Sequence, residues 1–405
     1  TAVGYNALTA LTTGNDNTAV GRNAGASITT GVRSTYVGNS AGSGATGSYQ
    51  VAVGNDALGG AASGAGNLAI GDSALRNNTS GNTNTAVGSF NGSSLPALYY
   101  NTTGSNNAAF GTEALKSNTT ASNNTAVGVS TLANNTTGSP NTAVGHNALA
   151  SNTTGGSNVA VGQGALEDNT TASNNTALGR DALKENTTGV SNAAFGYNAL
   201  GSSTTVSYNT ALGAQAARNV TGQRNVYVGY DAGNGVGSSA TGNIIIGMEA
   251  QPAGSTGNYE IVIGYGTTGK GGQTGFINPV GGGVYQGNNS SSWSTTSDRR
   301  IKKNIVDNND GLEKLMQVQV RNFEYRTENE IDELPSHAAI DKQGVQMGVI
   351  AQEIQQVIPE TVKEETTGCL TVDPDRLTWY LINAVKELKS ELDAANARIE
   401  QLESN

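Results

Sequence analysis

The feature that most constrains this chain is a glycine that returns every 17 residues. Gly4, Gly21, Gly38, Gly54, Gly71, Gly88, Gly111, Gly128, Gly145, Gly162, Gly179, Gly196, Gly213, Gly229, Gly247 and Gly264 each follow an Ala-Val or similar pair. The spacing departs from 17 only as 16 before Gly54 and Gly229, 18 before Gly247, and 23 before Gly111. One unit reads approximately Asn-Thr-Ala-Val-Gly-x-Asn-Ala-Leu-x-x-Asn-Thr-Thr-Gly-x-Asn, as over residues 141–157. A period this short cannot hold a helical hairpin. Thr-Ala-Val between Asn and Gly turn residues is a short extended segment, so each unit reads as one coil of a β-solenoid, about 16 coils over residues 1–265. On this reading the fold is mainly β, with Val144 and Leu149, or Val161 and Leu166, forming internal ladders. The Asn-Thr-Thr-Gly turns, such as 152–155, lie outside, and the glycines serve bends that need positive φ or close backbone approach.

Composition supports the division of the chain into unlike parts. Of 55 glycines in 405 residues, 51 precede residue 297. Residues 1–296 carry 11 acidic and 9 basic side chains, whereas 297–405 carry 21 and 13, making up the net charge of -10. No basic surplus suits nucleic acid, and no run of 18 apolar residues suits membrane insertion. The single cysteine, Cys369, can build neither a disulfide nor a cysteine-based metal site within one chain, and reads as a small packed hydrophobe. No metal site or cofactor is expected. Thr1 starts in mid-repeat without a leader-like segment, so an N-terminal portion is expected upstream.

Several features inside the repeats invite functional readings. Asn-Thr-Thr triplets at Asn101, Asn118, Asn135, Asn152, Asn169 and Asn186 match glycosylation acceptors, but they recur with the coil and suit turns. No regular flat threonine face persists from coil to coil, which argues against ice binding. His146 takes a position filled by Tyr5, Arg22 or Gln163 elsewhere and reads as a variable surface residue. Glycosidase chemistry needs paired carboxylates in a cleft, whereas Glu113, Glu167 and Asp181 are scattered. The long unit before Gly111 carries Leu95-Pro96-Ala97-Leu98-Tyr99-Tyr100, whose tyrosines read either as a ligand contact or as a packed cap.

The repeat resembles the head repeats of trimeric autotransporter adhesins and of phage tail fibres, which wind into trimeric β-rolls. That resemblance implies a homotrimer, as does the scarcity of large apolar residues in one coil. From Gly266 to Thr296 the repeat dissolves into a Gly-rich neck, linker or tip containing Phe276, Pro279, Tyr285 and Trp293.

Beyond residue 296 helical spacing appears. Gly311–Val318 reads as a short helix, Arg321–Arg326 as a strand, and Gly348-Val349-Ile350 as a strand running into a helix with Ile354, Val357 and Ile358 on one face, stopped by Pro359. Cys369–Val372 is a further strand. Leu381, Val385, Leu388, Leu392, Ala395, Ile399 and Leu402 alternate at spacings of four and three, the seam of a coiled coil over about 377–405. This small α+β domain, 297–405, contains Ser-Asp-Arg-Arg-Ile-Lys-Lys-Asn-Ile at 297–305, Gly348-Val-Ile-Ala-Gln-Glu353 and Pro359-Glu360.

These motifs resemble the endosialidase-type intramolecular chaperones that close phage tail spikes and fibres. The resemblance implies a domain that trimerises, folds the shaft and cuts itself off at the Thr296–Ser297 bond, with Ser297 as nucleophile and Lys302 as general base. The chemistry is sound independently. A serine hydroxyl needs a base, no histidine is near in sequence, and Arg299, Arg300 and Lys303 around Lys302 disfavour its charged form. His337 is a rival base in a polar loop, and 297–305 could instead be a basic linker in which Ile301 and Ile305 pack. The function expected is that of a viral tail fibre in a virion, assembled in the host cytoplasm. Its partners are a host-surface glycan or protein receptor and other tail proteins met through the missing N-terminal part. A bacterial trimeric adhesin and a glycan-cleaving spike are the alternatives.

Overall fold

The computed structural model describes residues 1–90, 92–234, 239–256, 258–279, 284–286, 299–327, 330–331, 343–364 and 368–404. The chain divides into two compact units, Thr1–Thr296 and Ser297–Asn405.

The first unit is a β-solenoid of about 16 turns. Each turn contributes one strand of two to four residues, and every strand pairs in parallel with the next, Ala143 beside Ala160 and Ala160 beside Ala177. Parallel pairing requires a connection of a dozen or more residues, which a 17-residue unit with a three-residue strand supplies. A further strand, β17 (Gly275–Ile277), joins the stack, and β18 (Val284–Gln286) folds back antiparallel on it, ending the parallel stacking.

Every recurring glycine except Gly88 sits at φ between 123° and 147°, where other residues are strained. A Cβ on Gly145 would lie 2.6 Å from the Gly162 carbonyl oxygen, so coil spacing itself demands glycine there. After it the chain alternates through left-handed residues, such as Asn147 at φ 57 and Leu149 at φ 53. A second backbone ladder runs through this corner, with Leu149 N donating to Ala165 O and Leu166 N to Ala182 O, both at 3.0 Å.

The interior differs from the expected valine and leucine ladders in one respect. Leu149 and Leu166 are fully buried, but Val144 is 37% exposed, and it is Ala143 that points inward. A three-residue strand has one inward position, its centre, so Thr and Val flank it on the outer face. Most coils therefore pair a small strand residue with a buried leucine. Where the inward strand residue is Tyr227, the leucine position is Gly233, whose Cβ would meet the Tyr227 ring at 2.1 Å, and Tyr36 faces Gly42 at the same distance. Volume is conserved across the coil.

The Asn-Thr-Thr-Gly turns are also corrected. Their threonines lie at the surface, but Asn118, Asn135, Asn152 and Asn169 are completely buried and bond from coil to coil. Asn152 Nδ2 donates to Asn135 Oδ1 at 2.8 Å and to Gly155 O at 3.0 Å. A second column does the same, Asn141 N donating to Asn124 Oδ1 and Asn141 Nδ2 to Gly155 O. Each Asn supplies a donor and an acceptor to the layers beside it, which carries the bonding from coil to coil. Glu260 ends that column: it is buried, and its carboxylate accepts from Ala253 N and Gly271 N. Each coil thus has its own core, and scarcity of large side chains is no argument for a trimer.

The second unit is small. Strand β19 (Arg321–Phe323) pairs antiparallel with β20 (Gln346–Gly348), and β21 (Val362–Glu364) with β22 (Leu370–Val372). Helix α1 spans Leu312–Leu315, α2 Ala351–Val357, and α3 the 30 residues Pro374–Glu403. Helix α3 starts earlier than its seam indicates because Asp373 caps it, its side chain accepting from Asp375 N and Arg376 N, with Pro374 in the first turn. Ile354, Ile358 and Tyr380 form the core, with Leu315, Val318, Val349 and Leu377 against it.

Candidate functional site

In the second unit, the segment that follows the basic motif is pinned to α3. Asn383 Nδ2 donates to Asn308 O at 2.8 Å and Asp310 O at 3.0 Å, while Leu312 N donates to Glu387 Oε2 at 2.8 Å, satisfying the start of α1. A Cβ on Gly311 would lie 2.6 Å from Ala384 N, so the contact requires a glycine. Upstream, Arg299–Ile301 is a single 3₁₀ turn, with Lys302 N donating to Arg299 O at 3.2 Å.

Lys302 is solvent-exposed within one chain. Thr296, Ser297, Trp293 and His337 lie outside the described residues. Ile305 is exposed, which removes its part in the packed-linker reading. Cys369 is half-buried.

The other motif pieces do converge. Glu353, at the start of α2, receives Arg321 in a two-pronged ion pair at 3.2 and 3.0 Å, tying α2 to β19. Glu360, just past Pro359, accepts a hydrogen bond from the Tyr380 hydroxyl. That bond holds the Glu360 carboxyl below the usual carboxylate range, while burial and the same bond push the Tyr380 phenol up. Lys314 bridges Asp310 at 2.6 Å and Glu360 at 3.7 Å. This cluster borders a cavity of about 510 Å³ lined by Asn308, Arg376, Trp379, Tyr380 and Asn383. Asp310, Lys314 and Tyr380 escaped the sequence reading because they meet only through the fold; the one cue was the aromatic inside a helical seam.

Along the free part of α3, Leu381, Val385, Leu388, Leu392, Ile399 and Leu402 are all exposed in the single chain. A helix with such a stripe calls for partners.

On the shaft, His146 is exposed, as expected. The long unit before Gly111 resolves differently from the expectation. Leu95, Ala97 and Leu98 rejoin the ladder, Glu113 N donating to Leu95 O, Leu75 N to Ala97 O and Leu98 N to Ala114 O, so the extra length lies before Leu95 rather than in 95–100. Tyr99 packs edge-on against Tyr100 with ring centroids 4.8 Å apart, and its hydroxyl accepts from Arg76 at 3.1 Å. Among the described residues no group of His, Cys, Asp and Glu could hold a metal, and no helix is long and apolar enough to cross a membrane.

A repetitive parallel β-shaft followed by a small α+β unit with an unpartnered helical seam defines a fibre with a C-terminal assembly domain. Residues 297–363 match the family described as chaperone of endosialidase, so the chain carries a domain of that family behind its shaft. Together the two units fit a tail fibre with a C-terminal chaperone.

Proposed function

We propose that the chain is the subunit of a homotrimeric viral tail fibre that attaches a virion to a host-surface glycan or protein. Its C-terminal unit brings three chains together, folds the shaft and then leaves by cutting the Thr296–Ser297 bond. The observation that carries the reading is the exposed apolar seam of α3, in the unit that matches the chaperone family. A second supporting feature lies on the shaft. Each strand turns an apolar residue outward, Val20, Val37, Ile70, Phe110, Val127, Val144, Leu178 and Leu212 among them, in a stripe far longer than a solitary soluble protein exposes.

Near-identical coils carry no register information, so three chains can pair in many frames. A clamp at one end fixes the frame. In the cut, Ser297 Oγ attacks the Thr296 carbonyl carbon while Lys302 takes its proton; the peptide C–N bond breaks and that nitrogen, the new α-amine of Ser297, is protonated. Because the nucleophile belongs to the leaving unit, the acyl ester links the two parts until water hydrolyses it. Lys302 is exposed in one chain, so its activation falls to the assembled trimer, which makes cutting follow assembly.

Native and denaturing mass measurements on the wild type, Ser297→Ala and Lys302→Ala test this. Wild type is expected as a trimer of cut chains, and both variants as trimers of uncut 41.1 kDa chains. A wild-type protein with one copy per particle, or a variant cut normally, refutes the corresponding part.

A further inference from the structure

The residue after each recurring glycine belongs to a column on the shaft surface. Its backbone is tied from coil to coil: Asn198 N donates to Arg180 O at 2.9 Å, Gln215 N to Tyr197 O at 2.8 Å, Asp231 N to Ala214 O at 3.0 Å and Glu249 N to Tyr230 O at 2.9 Å. Arg180, Tyr197, Ala214 and Tyr230 therefore follow one another one coil at a time. Tyr197 is 40% and Tyr230 47% exposed, with Ala214 half-buried between them. Nowhere else in the column does so small a residue stand between two tyrosines; between Tyr230 and Tyr265 the residue is Met248, whose longer side chain fills the corresponding gap.

The Arg180 guanidinium lies over the Tyr197 ring, 4.5 Å from its centroid, and is held by Asp181 at 3.3 Å. One face of Tyr197 is thus turned toward the preceding coil and covered, and its other face is turned toward the coil of Ala214. Coils stack about 4.8 Å apart, so the Tyr197 and Tyr230 backbones are separated by about 9.6 Å. A flat ring entering over Ala214 would sit about 4.8 Å from each tyrosine, within the range of about 4.5–7 Å at which rings stack.

We infer that the Ala214 notch binds one neutral pyranose ring of a surface glycan, clasped between Tyr197 and Tyr230. The inference names the receptor chemistry of the host-attachment reading above and rests on it. A pyranose turns polarised C–H bonds outward on its flat faces, which suit the negative faces of aromatic rings, and carries hydroxyls around its rim. The residues next along the chain, Asn198, Gln215 and Asp231, supply hydrogen-bonding groups for that rim, where an aromatic side chain of a protein partner would want an apolar one. Asp231 and Glu249 place negative charge beside the notch, which disfavours acidic sugars and nucleic acid.

The test applies the full-length protein to a printed array of neutral and acidic oligosaccharides. Wild type is expected to bind neutral glycans in preference to acidic ones. Ala214→Met, which copies the Met248 coil and fills the notch, should weaken that binding by at least about tenfold, as should Tyr230→Ala, because the sugar loses one or both ring contacts. Tyr208→Ala removes an exposed tyrosine outside the column and should change nothing. Wild type that binds no neutral glycan, or binding unaltered by Ala214→Met, overturns the inference. A variant that no longer matches wild type in native mass also overturns it, by placing the column in a subunit contact. Adsorption to a panel of intact bacterial strains separates the two readings. Equal adsorption by wild type and Ala214→Met leaves attachment standing and removes the notch from it. A wild type that binds neutral glycans through the notch but adsorbs to no strain refutes attachment instead.

Discussion

The two units solve the same problem with opposite means. In the shaft, local geometry repeats so closely that one backbone rule, a glycine at φ near 130° against the next coil's carbonyl, recurs from Gly4 to Gly247, with Gly88 keeping the carbonyl contact but not the φ. In the C-terminal unit little repeats, and order comes from side chains that meet from distant parts of the sequence, such as Arg321 with Glu353 and Asn383 with Asn308. The shaft thus carries little register information, and the C-terminal unit is the part proposed to supply it. This difference explains why one chain needs both.

Substitutions can break the comparison, starting with the largest effect. Gly145→Ala places a Cβ 2.6 Å from Gly162 O at a φ that alanine rarely adopts, and should cost roughly 3 kcal/mol or more, seen as loss of the folded shaft in thermal unfolding. Gly348→Ala in the C-terminal unit meets only the Phe323 ring edge at 3.1 Å, so it should cost about 1 kcal/mol or less. Comparable losses at the two sites would refute the claim that backbone geometry dominates only the shaft.

Tyr227 and Gly233 test whether coils conserve volume. Tyr227→Ala alone should cost about 3 kcal/mol through the cavity it leaves, and Gly233→Leu alone about 1–3 kcal/mol through overpacking. The double variant restores the Ala and Leu pairing of neighbouring coils, and its cost should fall well below the sum. Strict additivity would contradict the volume rule. Burial pushes the Tyr227 phenol well above its usual range, so the wild-type coil should hold through mildly alkaline conditions.

Asn152→Ala should cost about 1–3 kcal/mol, because it leaves the buried Asn135 oxygen and the Asn169 amide without their partner. Arg321→Ala, which breaks an exposed ion pair, should cost at most about 1 kcal/mol. Hydrogen exchange should show the first effect in adjacent coils and the second only near β19.

The smallest expected effect depends on pH. Glu360 is depressed by the Tyr380 hydrogen bond. A depressed carboxyl adds stability above its unfolded pKa and loses it as pH falls through the folded value. The C-terminal unit should therefore weaken below about pH 4, and Tyr380→Phe should reduce that dependence. Shaft unfolding should not follow it.

Much of the shaft was legible because a 17-residue period with a fixed glycine leaves few other folds. What misled was size and turn propensity. Val144 is larger than Ala143, so size favours it as the inward residue, but a three-residue strand buries only its centre. Asn152 suits an outer turn by propensity, though its amide can bridge two layers at once, which a single unit does not reveal. In the C-terminal unit the helices and strands were legible from spacing, and the α3 seam from its heptads. The Glu360, Tyr380 and Lys314 cluster was not, because it depends on tertiary packing across about 70 residues. Ser297 and Lys302 rest on their motif and its chemistry.

The central claim is that assembly information resides in the C-terminal unit while lasting stability resides in the shaft. The direct measurement is refolding: cut wild-type fibre and uncut Ser297→Ala are both fully denatured, diluted, and followed by native mass for recovery of trimers. The proposed function predicts efficient recovery only for the uncut chain, because a shaft cut from its register clamp would be held only by a kinetic barrier. Equal recovery by the cut shaft would contradict it.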